Sequence, residues 1–198
     1  MLKIQNNCAQ ARPRGLSRTL AALVVALLAA CHPGAEVTAG AAEEAPVLQC
    51  GADGYLSAQL YGAIETRLEW DQDDLECMGM PRPEGRGIRL RLAAVDPASG
   101  SELVFIIALP DFGRDSGPAE FDTNTTLIEA GNGRFFSTPN TDNCLVDVES
   151  VRGLDEAGER YSIAGTLYCV SPLPEVNGVS SVSVPELRFS GLLDWTAS

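Results

Sequence analysis

Residues 88–109 read IRLRLAAVDPASGSELVFIIAL, two apolar runs separated by a short polar segment. In the first run, apolar residues alternate with two arginines, which is the period of a strand with one buried face. Residues 96–100, DPASG, have the composition of a turn. If the chain folds back there, Leu92 lies opposite Phe105, and the other apolar positions pair on the same face. The second run is apolar on both faces, so we expect it to be a central, covered strand.

Other segments show the same pattern of short strands and turns. Residues 55–70 fit two strands on either side of Gly62, although apolar residues at every fourth position also fit a helix. The Asn-Gly pair at 132–133 predicts a hairpin turn, because both residues of such a pair can adopt positive φ. A change of side-chain parity at Pro185-Glu186 predicts a bulge in the last strand.

The spacing of these strands sets the fold class. Eight or nine short strands, each about ten residues from the next and without a convincing long helix, are typical of an all-β domain. We expect an antiparallel β-sandwich or small β-barrel of about 8–9 strands, disulfide-stapled, as a single domain over residues 47–198.

A different kind of signal precedes the domain. Residues 20–31 read LAALVVALLAAC, and the four basic residues before them are Lys3, Arg12, Arg14 and Arg18. A basic head, a short apolar run and small residues at its end indicate a secretory signal peptide. The run is shorter than the roughly 20 apolar residues that a membrane-spanning helix needs.

The end of this run, Leu28-Ala29-Ala30-Cys31, resembles the lipobox of bacterial lipoproteins. That resemblance implies transfer of a diacylglycerol to the sulfur of Cys31, cleavage after Ala30 and acylation of the new amino terminus. Residues 1–30 are then the cleaved signal peptide. The alternative is an ordinary cleaved signal peptide in which Cys31 is unmodified.

Residues 31–46 are expected to be the lipidated cysteine and a disordered acidic tether. In lipoproteins of Gram-negative bacteria, an aspartate after the cysteine retains the protein at the inner membrane. This chain has His32 there. The resemblance therefore implies a lipid anchor in the outer membrane of the cell envelope, with the domain facing the periplasm.

Four cysteines remain in the predicted domain: Cys50, Cys77, Cys144 and Cys169. An even number in an oxidising compartment predicts disulfides, and four cysteines allow three pairings. If residues 155–158, DEAG, form a turn, Cys144 lies opposite Cys169 at disulfide distance. We therefore predict Cys144–Cys169 and, by exclusion, Cys50–Cys77. The competing interpretation is a zinc site of four thiolates, but no Cys-x-x-Cys spacing supports it.

Charge and histidine content exclude several functions. Loss of the four basic leader residues takes the formal charge from −13 to −17, which disfavours nucleic-acid binding. The only histidine, His32, precedes the domain. Catalysis by histidine and zinc ligation by histidine are therefore excluded in the domain. We expect no cofactor, no catalytic residue and a non-enzymatic role. A carboxylate-based hydrolase is the enzymatic alternative.

Two binding roles remain. The first is contact with an envelope protein, which predicts an exposed apolar patch on a sheet face or edge. The second is a ligand- or cation-binding module, with a cavity in a barrel or calcium at the acidic loop of residues 71–76. The carboxylates of that loop are Asp71, Asp73, Asp74 and Glu76. Their spacing does not fit the EF-hand pattern, so a solvated loop is the favoured interpretation.

Overall fold

The computed structural model describes residues 50–197. The predicted signal peptide, Cys31 and the tether lie outside the described residues, so these predictions remain untested. The strands of the described part are β1 (Tyr55–Gly62), β2 (Thr66–Asp71), β3 (Glu76–Pro81), β4 (Ile88–Val95), β5 (Glu102–Leu109), β6 (Ala119–Glu129), β7 (Arg134–Ser137), β8 (Cys144–Gly153), β9 (Arg160–Cys169), β10 (Leu173–Pro174), β11 (Ser181–Ser183) and β12 (Glu186–Asp194).

Seven of these strands close into a barrel, in the order β12, β3, β4, β5, β6, β8, β9 and back to β12. The all-β prediction is confirmed, with a barrel as its form. Every neighbour pair in the ring is antiparallel except β12 and β3, which are parallel where Leu193 lies opposite Gly79. Residues 50–197 hold more strands than expected because β3 contains Gly79 and Pro81, β10 is only two residues long, and the predicted last strand is divided into β11 and β12.

The hairpin of β4 and β5 has the predicted register. Leu92 lies opposite Phe105 and Ile88 opposite Leu109, and all four side chains are buried. The 55–70 segment forms two strands, β1 and β2, rather than a helix, and Gly62 has φ 98°. In this segment, the two-residue alternation therefore predicted the structure correctly, and the apolar residues at every fourth position did not.

Both predicted disulfides are formed. Cys144 lies directly opposite Cys169 on β8 and β9, with Cα atoms 4.1 Å apart. Cys50 joins Cys77 on β3 across 4.8 Å between Cα atoms. The predicted β8–β9 register is right at the cysteine end, but a bulge between Val148 and Ser150 shifts it by one residue toward the turn.

The strands outside the ring form an extension that branches from it. The first part of β12 pairs with β1, and its last part lies beside β3. In the same way β6 pairs first with β8 and then with β7. β1, β2, β10 and β11 cover the core at this branch, where Trp70 on β2 lies edge-on to Phe105 with ring centroids 6.4 Å apart.

Two turn predictions are refined by the structure. Between β11 and β12, at Pro185, the pairing with β1 shifts by one residue, which confirms the predicted bulge. The Asn-Gly hairpin between β6 and β7 is also present. However, only Gly133 is left-handed, with φ 62°, because the loop is a 3₁₀ turn over Ala130–Asn132 rather than a two-residue turn.

Gly79 allows the barrel to close between β3 and β12. A Cβ at this position would lie 2.5 Å from the carbonyl oxygen of Leu192 and 2.7 Å from Cδ2 of Leu90. Gly191 stands on β12 close by, where a Cβ would lie 3.2 Å from Leu92. The parallel contact therefore depends on small residues in both strands.

We predict that Gly79→Ala lowers the free energy of unfolding by about 1–3 kcal/mol, because the added methyl must displace backbone. The matched control is Gly153→Ala on β8, where a Cβ meets nothing within 4 Å. Urea denaturation of the two variants measures the difference. Equal stability of both variants would contradict the role given to Gly79.

Candidate functional site

Three of the four tyrosines in the chain lie on one outward face of the sheet. Tyr55 and Tyr61 share the outer side of β1, and Tyr168 on β9 lies opposite Glu186 on β12. These tyrosines are 38%, 49% and 39% exposed, respectively. We call this surface the tyrosine face and define it by nine outward residues of β9, β12, β1 and β2. Its members are Tyr55, Ser57, Gln59, Tyr61, Arg67, Glu69, Tyr168, Glu186 and Arg188.

A groove of about 290 Å³ runs across the tyrosine face. β1 forms its floor with Ser57 and Gln59, and Tyr61 stands at one end. The charged residues along its sides come from the strands on either side of β1, namely β2 and β12. The strand pairing sets this arrangement, since Ser57 lies between Glu69 and Arg188 in the ladder.

The charges of the groove form two exposed ion pairs. Arg67 Nη1 lies 3.8 Å from Glu69 Oε1, and Arg188 Nε lies 2.8 Å from Glu186 Oε1. Exposed pairs of this kind contribute little to stability, so their side chains can form new contacts at low cost. The groove is therefore locally neutral in an acidic protein, and it combines donors and acceptors with the ring of Tyr61.

The acidic loop at 71–76 lies apart from this groove. The carboxylate of Asp71 accepts a hydrogen bond from the backbone N–H of Asp73 at 3.0 Å, and Glu76 binds Arg91 Nη1 at 3.0 Å. Within residues 50–197, no three acidic, histidine or cysteine side chains are grouped closely enough to hold a metal ion. The loop thus has the features of a solvated turn.

A second concave region of about 380 Å³ lies beside Trp195 and is bordered by Pro81 and Pro110. The guanidinium of Arg114 lies over the ring of Trp195, 5.1 Å from its centroid. Arg114 also donates to the backbone oxygen of Gly158 at 3.3 Å. The protein's own cation therefore lies over one face of this ring.

The barrel interior is filled by large side chains rather than open. Phe105, Leu92, Ile107 and Phe189 are fully buried in one continuous core. The cavity that a ligand-binding barrel requires is therefore replaced by packed side chains at these positions.

Asp96 is a buried carboxylate with a structural role. Its Oδ1 accepts the Thr66 hydroxyl at 2.8 Å, and its Oδ2 accepts the Ser99 hydroxyl at 2.7 Å and the Ser99 N–H at 3.1 Å. Burial alone would raise the pKa of Asp96, but these hydrogen bonds outweigh it and lower the pKa below 3.8. Hydrogen bonds from Thr196 likewise lower the pKa of Asp194. A carboxylic acid catalyst needs the opposite shift.

Of the residues predicted for function, the structure describes the four disulfide cysteines and the 71–76 loop, and it brings neither into the groove. The tyrosine face was not predicted from the sequence. The alternation of Tyr55, Ser57, Gln59 and Tyr61 was available as a signal. Tyr168, however, joins this face only through the pairing of β9 with β12, which the sequence did not predict.

Comparison of the chain with protein-family models, curated proteins and solved structures finds no match. In the described residues, no helix has the length and apolar character needed to cross a bilayer.

We predict that Asp96→Asn lowers the free energy of unfolding at pH 7 by about 1–3 kcal/mol, because the amide leaves a buried hydroxyl or N–H without its acceptor. The pKa of Asp96 is lower in the folded than in the unfolded protein, so the stability that Asp96 contributes is fully present above its pKa in the unfolded state. This contribution is lost as the pH falls through the pKa of Asp96 in the folded state.

The difference between wild type and Asp96→Asn should therefore shrink below about pH 4. Urea denaturation at pH 7 and pH 3 measures it, with Asp115→Asn in an exposed loop as control. A difference that stays the same at both pH values would contradict this account.

Proposed function

We propose that the chain is a lipid-anchored protein of the cell envelope whose barrel domain binds a partner protein, without catalysis, through the tyrosine face. The anchor follows from the resemblance of residues 28–31 to a lipobox. The binding role rests on one observation, the three partly exposed tyrosines on a sheet face whose groove is lined by Tyr61 and two arginines.

The composition of the tyrosine face supports protein contact. Tyrosine and arginine are enriched at protein interfaces and carry a large share of binding energy there. Tyrosine offers a large rigid surface at low entropic cost, and arginine can bind carboxylates or backbone carbonyls. Because the groove is neutral, a partner is not repelled there by the acidic charge of the rest of the domain.

Two features support a non-enzymatic role. The domain has no histidine and no lysine, the usual neutral-pH bases. The lowered pKa values of Asp96 and Asp194 keep both carboxylates ionised at neutral pH.

The anchor predicts the behaviour of one variant. Cys31→Ser removes the sulfur that would carry the diacylglycerol, so the protein should lose its acyl groups and, because cleavage after Ala30 follows transfer to that sulfur, should keep residues 1–30. Mass spectrometry of the wild type should find acyl groups on an amino-terminal Cys31. An unmodified Cys31 in the wild type would contradict the anchor.

The binding role predicts site-specific cross-linking. A photo-reactive amino acid at Tyr61 or Arg188 should give one discrete protein adduct in intact cells, because both side chains border the groove. The same amino acid at Val179, fully exposed on the β10–β11 turn, is the control. Equal labelling from all three positions, or none from the groove, would contradict the proposal.

A further inference from the structure

The outer edge of β2 has no role in the barrel. In residues 50–197, β2 pairs with β1 along its whole length and has no strand on its other side. By contrast, β4 and β9 are paired on both sides. An unpaired edge presents backbone donors and acceptors, which proteins either protect or use for pairing.

β2 is also held firmly in place. Its inward side chains are Thr66, Leu68 and Trp70, and all are buried. The Thr66 hydroxyl is bonded to Asp96, and Trp70 packs against Phe105. The edge is therefore a fixed template for another strand.

The outward side chains of β2 are Arg67, Glu69 and Asp71, so a positive charge is followed by two negative ones. Arg67 and Glu69 are 72% and 62% exposed. Suppose that a second β2 runs antiparallel with Leu68 opposite its own copy. Arg67 of each chain then lies opposite Glu69 of the other, which gives two attractive cross-strand pairs.

We propose that a second copy of this chain pairs with β2 in this register, forming a two-fold symmetric dimer with a continuous sheet across the interface. A shift of the register by two residues would place Glu69 opposite Glu69 or Arg67 opposite Arg67, so a like-charged pair would lie on the two-fold axis, although the first shift would also set Arg67 opposite Asp71. Shifting it by one would set outward residues against inward ones. At both ends of the proposed register, Asp71 of one copy meets Glu65 of the other, where both side chains are exposed and water and salt screen the repulsion.

The size of the edge sets the strength of the dimer. Six residues bury less than the roughly 800 Å² per partner of a stable interface, so association in solution is weak. Anchoring both copies in one membrane would raise their effective concentration, a consequence that rests on the proposed lipid anchor. The pairing itself does not rest on the anchor. Pairing of the two β2 strands would bring the tyrosine faces of the two copies side by side, since β2 lies at the edge of this face in each copy.

Charge reversal tests the dimer. Residues 31–198 with Cys31→Ser contain the whole described barrel and both disulfides, and sedimentation equilibrium up to millimolar concentration measures their association. Arg67→Glu and Glu69→Arg should each weaken it roughly tenfold or more, because two attractive pairs become repulsive. The double variant should restore the wild-type value. A wild type that stays monomeric, or a double variant that is not restored, would overturn the proposal.

Cysteine trapping tests the register. A mixture of Arg67→Cys and Glu69→Cys proteins should form the mixed disulfide on mild oxidation, and neither should cross-link efficiently alone. Val179→Cys mixed with Glu69→Cys is the control. Cross-linking of Arg67→Cys to itself would overturn the register. Because the protein is purified and carries no lipid, failure here is distinguishable from failure of the anchor or of the tyrosine face.

Discussion

The closure of the barrel depends on the close approach of β3 and β12, which run parallel although they are far apart in the sequence. Leu193 lies opposite Gly79, and the side chain of Leu90 fills the space where a Cβ of Gly79 would stand. Closure brings β9, β12 and β3 into one ring. It thereby fixes β12, which pairs with β9 and β1 and so holds the tyrosine face together. If the two strands could not meet, β3 and the last part of β12 would become open edges of the sheet.

The local part of this architecture could be predicted from the sequence. The β4–β5 hairpin, the β8–β9 hairpin at its cysteine end and both disulfides depend on alternation and turn residues over short stretches. Barrel closure and the branch at β12 could not be predicted, because β12 pairs there with β3 and β1, which are far from it in the sequence. The tyrosine face depends on the same β1–β12 pairing and on that of β9 with β12, which no turn signal indicates. The bulge beside Val148 was missed for another reason, since alternation does not reveal one extra residue.

The arginines of the domain show how an acidic chain keeps a few neutral surfaces. Arg91 bridges Glu76 and Glu102, and Arg134 binds the buried Glu129 while donating to the backbone of the β1–β2 turn. Glu129 holds the pKa of Arg134 above its usual value. Arg67 and Arg188, in contrast, form only exposed pairs. The groove is thus a place where cationic side chains remain available rather than serving the fold.

The opposite signs of Arg67 and Glu69 on β2 bear directly on why an edge is left open. A row of one sign would repel a second copy and protect the edge, as lysine-rich edges do. At Arg67 and Glu69, a strand of a single charge sign makes one attractive and one repulsive pair, whereas a strand that carries the same two charges in the opposite direction makes two attractive pairs. β2 itself, reversed, is such a strand. The charge pattern is therefore selective rather than protective, and selectivity is useful only if some strand is meant to pair there.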